Sequence, residues 1–139
     1  GEFYPAANDR PHYITAVCNY KPHPRWDVGA TFIFASGNPA TFPAGVYIVN
    51  GIATPYFEGR NQYRIPAYHR MDASVTFRLN KNAEQRWNHS LNLSVYNLYS
   101  QKNPFAIDFR PSEDDRTKTE AVKIYLFPAV PSLTYNFNF

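Results

Sequence analysis

The chain has no long apolar run. Its uninterrupted apolar stretches last only a few residues, far short of the roughly 20 that a helix needs to cross a bilayer. Strands are not excluded, because half of a membrane strand is polar. Cys18 is the single cysteine, so no internal disulfide can form, and its place in an apolar strand pattern has it packing as a small hydrophobe. Helical periodicity is weak almost everywhere: twelve Pro and six Gly punctuate the sequence, and no long stretch carries a clean 3.6-residue repeat. A strong excess of one sign of charge is missing too. The net charge is +3, and Arg60, Arg64, Arg70, Arg78 and Lys81 are scattered, which argues against a nucleic-acid surface.

Sites of chemistry are equally scarce. His12, His23, His69, His89 and Cys18 have no zinc-type spacing, and no serine elbow, P-loop or dinucleotide fingerprint is present. Ser36-Gly37-Asn38 reads as a turn. Glu113-Asp114-Asp115 reads as a solvated charge run rather than a cation site. The expectation is no enzyme, no cofactor and no metal.

Aromatics are abundant: eleven Tyr, eleven Phe and two Trp, 17% of the chain. Leu, Ile and Val are comparatively scarce and Asn is frequent. Hydrophobic residues at 44% argue against disorder. Soluble cores favour branched aliphatics, whereas aromatic strands interleaved with Asn, Ser and Thr suit a wall with lipid on one side and water on the other. The last nine residues show this pattern without a slip. Leu133, Tyr135, Phe137 and Phe139 fall on one face, and Ser132, Thr134, Asn136 and Asn138 on the other.

The segments between breakers read as an antiparallel meander. The first strand covers about 10–21, with Ile14, Ala16, Cys18 and Tyr20 in step, and Pro22-His23-Pro24-Arg25 is a tight turn. The second covers about 26–36, with Trp26, Val28, Ala30, Phe32 and Phe34 on one face. An irregular stretch, 37–65, follows. In the third strand, 67–80, Met71, Ala73, Val75, Phe77 and Leu79 oppose Arg70, Asp72, Ser74, Thr76 and Arg78. A polar turn at 81–85 leads to a fourth strand, which starts at Trp87 and reaches towards Phe109 with a disturbance near Asn103-Pro104. After a charged loop, 110–117, the last strand covers 119–139. Pro128 and Pro131 interrupt it, or else mark a separate hairpin of 122–127 against 132–139.

Parity separates these alternatives. Connections 22–25 and 81–85 are short and belong on the periplasmic side of a barrel, while 37–65 and 110–117 are longer and belong outside. Five strands then end the chain on the periplasmic side, and a sixth would end it outside. Five are preferred. Trp26 and Trp87 each open a strand after a short turn, and Phe139 ends one at that level, as interface aromatics do.

Several pieces together resemble a known family. They are Gly1-Glu2-Phe3-Tyr4-Pro5 with Asp9-Arg10-Pro11-His12; Ala35-Ser36-Gly37-Asn38-Pro39; and Arg64-Ile65-Pro66-Ala67-Tyr68-His69-Arg70-Met71-Asp72. Then come Val95-Tyr96-Asn97-Leu98-Tyr99-Ser100-Gln101-Lys102-Asn103-Pro104-Phe105, and Leu126-Phe127-Pro128-Ala129-Val130-Pro131-Ser132 running into Phe139. Over essentially the whole chain this resembles the carboxy-terminal end of a TonB-dependent outer-membrane receptor of the Bacteroidetes type. The resemblance implies a plugged barrel of twenty-two strands in the outer membrane, importing an iron chelate, vitamin, glycan or peptide-derived nutrient with energy delivered through TonB.

The chain would carry the last five strands of such a barrel. The plug and the remaining strands would be supplied by residues not in this sequence, in the same or a separate chain, and TonB would act through that missing part. Tyr135, Phe137 and Phe139 resemble the signal read by the barrel-assembly machinery. Arg70, Asp72 and Arg78 are expected on the lumen side, Arg70 and Asp72 as an ion pair or hydrogen-bond network, with His69 on the other face. Tyr47, Tyr56, Phe57, Arg60 and Tyr63 in the long loop are candidate contacts for a ligand or a capping surface lipoprotein. Two other readings stay open. A soluble β-sandwich binding module would bury Met71, Val75, Phe77, Leu133, Tyr135 and Phe137 together. A small passive outer-membrane pore would form from copies pairing edge to edge.

Overall fold

The computed structural model describes residues 3–49, 52–80, 87–111 and 119–138, and among these every regular element is a strand. In chain order they are β1 (Tyr13–His23), β2 (Trp26–Ala35), β3 (Pro39–Ala40), β4 (Gly45–Val49), β5 (Ile52–Tyr56), β6 (Tyr63–Arg64), β7 (Tyr68–Arg78), β8 (Asn88–Tyr96), β9 (Pro104–Pro111), β10 (Thr119–Tyr125) and β11 (Val130–Asn138). They fall into two compact units. One comprises Ile14–Phe34, His69–Lys102 and Phe127–Phe139; the other comprises Gly1–Tyr13, Ala35–Tyr68 and Asn103–Leu126.

The first unit holds a five-stranded sheet in the order β1-β2-β7-β8-β11. Its register keeps like with like. Leu133 faces Leu93, Tyr135 faces Leu91 and Phe137 faces His89, while Ser132 faces Ser94 and Thr134 faces Asn92. Across the next ladder Val75 faces Leu93 and Phe77 faces Leu91, while Ser74 faces Ser94 and Thr76 faces Asn92. Because side chains alternate with period two, these two ladders sort the apolar residues of β7, β8 and β11 to one face and the polar residues to the other. Gly29 lies where strands approach closely: a Cβ there would sit 3.0 Å from Ser74 Oγ and 3.3 Å from Asn19 Oδ1.

The sheet bears out the five-strand order. Asn138 pairs with Asn88, and the Arg78 amide donates to Arg25 O at 2.8 Å. The end of β11 therefore lies at the same end of the sheet as the β1–β2 turn. The alternative hairpin is not formed: β11 pairs with β8, and β10 pairs with β9. Both halves of the expected fourth strand thus find the two halves of the expected fifth. The break between β8 and β9 begins earlier than Asn103-Pro104, at Asn97, which takes a left-handed φ of 53°.

Three other expectations need correction. β1 runs on to His23, so the turn is Pro24-Arg25 alone; Pro22 is tolerated because β1 is an edge strand. The stretch 37–65, expected to be irregular, contains β3 paired with β6 and a hairpin of β4 with β5. The β-branched run Val46, Ile48 and Val49 outweighs the surrounding Gly and Pro. Cys18 is exposed rather than packed, because β1 lies at the edge and every one of its residues is exposed. The turn at 81–85, the acidic run 113–115 and Phe139 lie outside the described residues.

Among the described residues the only fully buried hydrophobic side chain is Ala35, and the only buried polar one is Asn97. Leu133 is 70% exposed and Phe137 53%. Met71, Val75 and Phe77 are half-buried. No dry interior gathers these side chains.

Candidate functional site

The polar face of the five-stranded sheet is tied together by charge. At the end near the β1–β2 turn, Arg78 pairs with Asp27 and donates from Nη1 to Pro24 O at 2.7 Å. Lys21 reaches the other oxygen of Asp27 at 3.4 Å. At the same end but over the opposite face, the Arg25 guanidinium lies 4.6 Å from the centre of the Phe77 ring and donates to Arg78 O at 2.9 Å and Leu79 O at 3.0 Å. Towards the other end, Arg70 pairs with Asp72 at 2.9 Å, donates to the Tyr96 hydroxyl at 2.5 Å and lies 4.1 Å over the Tyr96 ring. Between these clusters the floor is small: Asn19, Gly29, Ser74 and Ser94 line a shallow groove of about 280 Å³, and Asn92 donates to Thr76 Oγ1 at 2.7 Å. The ion pair expected for Arg70 and Asp72 is present, and Arg78 belongs to a second one.

The opposite face carries the aromatics. Trp26 and Phe77 lie 4.6 Å apart between ring centres. His89 stacks on Tyr135 at 5.9 Å and on Phe137 at 6.5 Å, and its Nδ1 shares a 2.6 Å hydrogen bond with the Tyr135 hydroxyl. Trp87 directly precedes β8 and is 51% exposed. All these rings belong to the end of the sheet where β11 finishes. His69 shares a hydrogen bond of 2.8 Å with the Tyr99 hydroxyl. Desolvation, with a contribution from Asp72, pushes the Tyr99 phenol above its ordinary pKa.

One decisive residue is not among the site residues expected from the sequence, although it stands in the Val95-Tyr96-Asn97-Leu98-Tyr99 piece that carries the resemblance. The buried Asn97 side chain donates from Nδ2 to Gln101 O at 3.0 Å and to Phe127 O at 2.9 Å, and its Oδ1 accepts from the Gln101 amide at 3.0 Å. Its own amide donates to Asp72 Oδ1 at 2.9 Å. A single amide side chain thus ties the end of β8 to the residues leading into β11, and Asp72 ties both to β7. Asparagine suits the position because it tolerates the left-handed backbone and offers donors and an acceptor together.

The second unit has its own focus. Arg64 pairs with Asp9 and donates from Nη1 to Asp9 O at 2.9 Å and Gly37 O at 3.1 Å. Gly37 is required: a Cβ there would sit 1.7 Å from Ile65 O. Phe42 stacks on Tyr63 at 5.3 Å and tilts against Phe109 at 5.2 Å. Beside these rings opens a cavity of about 310 Å³, lined among others by Asn38, Thr41, Phe42, Ile65, Phe105 and Phe109.

Of the loop residues singled out from the sequence, Tyr63 supports Phe42, and Arg60 donates to the Tyr4 hydroxyl at 3.3 Å. Tyr47 and Tyr56 stand on the β4–β5 hairpin and Phe57 follows it, all half-exposed and none lining the cavity. Sequence reading missed Phe105 and Phe109, although Phe105, Ile107 and Phe109 alternate with Ala106, Asp108 and Arg110 as a strand should.

Among the described residues no three His, Cys, Asp or Glu side chains come together as metal ligands, and no helix is long and apolar enough to cross a membrane. No protein-family model, curated protein or solved structure matches the chain.

Proposed function

We propose that the chain is barrel wall from a TonB-dependent outer-membrane importer, with its aromatic face towards lipid and the Arg70–Asp72 and Arg78–Asp27 pairs towards the lumen and plug. The observation that carries this is the inversion of ordinary burial. On the apolar face Leu93 is 53% exposed, Leu133 70% and Tyr135 55%, and on the other face the charges are paired. A contiguous apolar face open to its surroundings marks an interaction surface, and lipid is the partner that asks only for apolar area. The sandwich reading needs those same side chains in one dry interior. The ring cluster at one end of the sheet fits a membrane–water boundary, where aromatic girdles sit.

The importer, as against a generic barrel, rests on the resemblance. The receptor's remaining strands and plug would come from outside this chain and TonB would engage that part; a surface lipoprotein would cap the outer mouth. In lipid each unsatisfied backbone group costs several kcal/mol, so the open edges of β1 and β11 call for partner strands. Those same edges favour one second reading, a passive pore built from copies of the chain.

Expression of the whole receptor, with and without Phe139, tests the proposal. The intact protein should fractionate with the outer membrane and migrate in a heat-modifiable form. Loss of Phe139 should strand it before insertion, through the assembly signal completed by Tyr135 and Phe137. A water-soluble monomer with a cooperative melt in the absence of detergent would end the membrane reading. Ion conductance from this chain alone would favour the pore.

A further inference from the structure

The end of the sheet near the β1–β2 turn sets one cation among rings. Arg25 stands in that turn, and its guanidinium lies over the Phe77 ring, on the apolar face. Phe77 in turn lies against Trp26. By strand alternation, β1, β2, β7, β8 and β11 place no Arg or Lys of their own on that face. The guanidinium is held in place. Nε donates to Arg78 O and Nη2 to Leu79 O, which fixes its plane and leaves the Nη1 donors without a partner among the described residues. No carboxylate among the described residues pairs with Arg25, whereas on the other face Asp27 answers both Lys21 and Arg78.

This chemistry asks for an anion at one depth. Arg25 is half-buried, and an apolar surround strengthens the pull of a cation on a counter-charge. The planar fork of arginine matches phosphate better than a point charge does. With the apolar face towards lipid, Trp26 and Phe77 lie at the level of the interfacial aromatic belt, and the anion found at that level is the phosphate of a phospholipid headgroup. The face below continues the fit. Phe77 is opposite Leu91 and Val75 opposite Leu93, with Tyr135 and Leu133 beyond them, an apolar run along which acyl chains can lie. A free phosphate ion gains nothing from that run. A zwitterionic headgroup brings its own ammonium towards Arg25, and a net-anionic one does not.

We propose that Arg25, seated on Phe77 beside Trp26, binds the phosphate of a net-anionic phospholipid at the membrane boundary. The proposal rests on the apolar face being lipid-facing and adds a headgroup to that contact.

The purified whole receptor in detergent is titrated with dioleoylphosphatidylglycerol, dioleoylphosphatidylcholine and inorganic phosphate, and retained lipid is read by native mass spectrometry. Phosphatidylglycerol should be retained in preference to phosphatidylcholine, and phosphate should not displace it. Arg25→Gln should weaken phosphatidylglycerol about fivefold, the worth of one arginine beside an anionic lipid surface, and leave phosphatidylcholine unchanged. Arg25→Lys restores the charge without the fork and should recover part of the preference. Lys21→Gln removes a cation at the same end on the other face and should change nothing. The proposal is overturned if the two lipids bind equally, if phosphate displaces phosphatidylglycerol, or if Arg25→Gln binds it as the parent does. It is also overturned if Arg25→Lys binds no better than Arg25→Gln, which would trace the loss to the carbonyl contacts, or if Lys21→Gln weakens binding as much. Fractionation and heat-modifiability of the same variants report on the barrel wall separately. A receptor folded in the outer membrane whose Arg25→Gln variant keeps its phosphatidylglycerol removes this site and leaves the wall. A water-soluble monomer removes both.

Discussion

The two faces of the five-stranded sheet obey opposite rules. On one, Leu91, Leu93, Leu133, Tyr135 and Phe137 are exposed, and the register sets Leu133 opposite Leu93, Tyr135 opposite Leu91 and Phe137 opposite His89. On the other, Asp27, Arg70, Asp72 and Arg78 are each held by an ion pair, and Arg70 and Arg78 by hydrogen bonds as well. A half-solvated sheet in water does the reverse, hiding the oily face and leaving charges loose. The comparison teaches that no core among the described residues covers the apolar face, while the polar face is braced by its own ion pairs.

The sharpest way to break that contrast is a charge on the oily side. Leu93 lies mid-strand in β8, flanked by Val75 and Leu133. If that face meets lipid, Leu93→Arg should cost about 2–4 kcal/mol, as an arginine near the bilayer midplane does. If it meets water, the cost should stay within about 0.5 kcal/mol, as for ordinary surface changes. The neighbouring Ser94→Arg, on the opposite face, is the control and should cost clearly less. Urea unfolding of the whole receptor in lipid vesicles reads both. Equal midpoints for the two variants would erase the distinction between the faces.

Asn97 comes next in size. Asn97→Ala leaves the Phe127 and Gln101 carbonyls without the side-chain donors they hold at 2.9 and 3.0 Å, so the same urea assay should show a loss of about 1–3 kcal/mol. Asn97→Gly frees the left-handed backbone and removes the same bonds. If the side chain is what matters, glycine should do no better than alanine by more than about 1 kcal/mol. Full recovery by glycine would shift the role to the backbone.

What could be read from the residues follows from how local the cause is. The face of every strand in the sheet was legible, because alternation such as Met71, Ala73, Val75, Phe77 and Leu79 is written in consecutive residues. So was the end at which β11 stops, since it follows from counting short and long connections. The true break after β8 was not. It is made by Asn97 meeting Phe127, a partner from a distant segment, whereas the sequence offered only Asn103-Pro104 as punctuation. The β4–β5 hairpin was hidden behind Gly45 and Pro55, which read as loop. The cavity was hidden because Phe42 and Phe109 meet only through the fold. The aromatic loop side chains that stood out, Tyr47, Tyr56 and Phe57, are conspicuous because they are exposed tyrosines and phenylalanines, not because they converge.

The smallest effect belongs to the polar face itself. Arg78 holds Asp27 and Pro24 O together through a planar fork; a lysine would keep the charge but lose that geometry. Both partners are partly exposed, with side-chain exposures of 47% and 26%, so solvent screening limits the worth of the pair. Arg78→Lys should cost less than about 1 kcal/mol, and the cost should shrink as salt is raised. A double-mutant cycle with Asp27→Asn isolates the pair from the Pro24 contact. If the coupling were larger than the loss caused by Leu93→Arg, stability would reside in the charged face, and the oily face would be incidental to where this sheet is stable. If it is small and salt-sensitive, the charges orient the sheet towards its neighbours while the surrounding phase holds it in place.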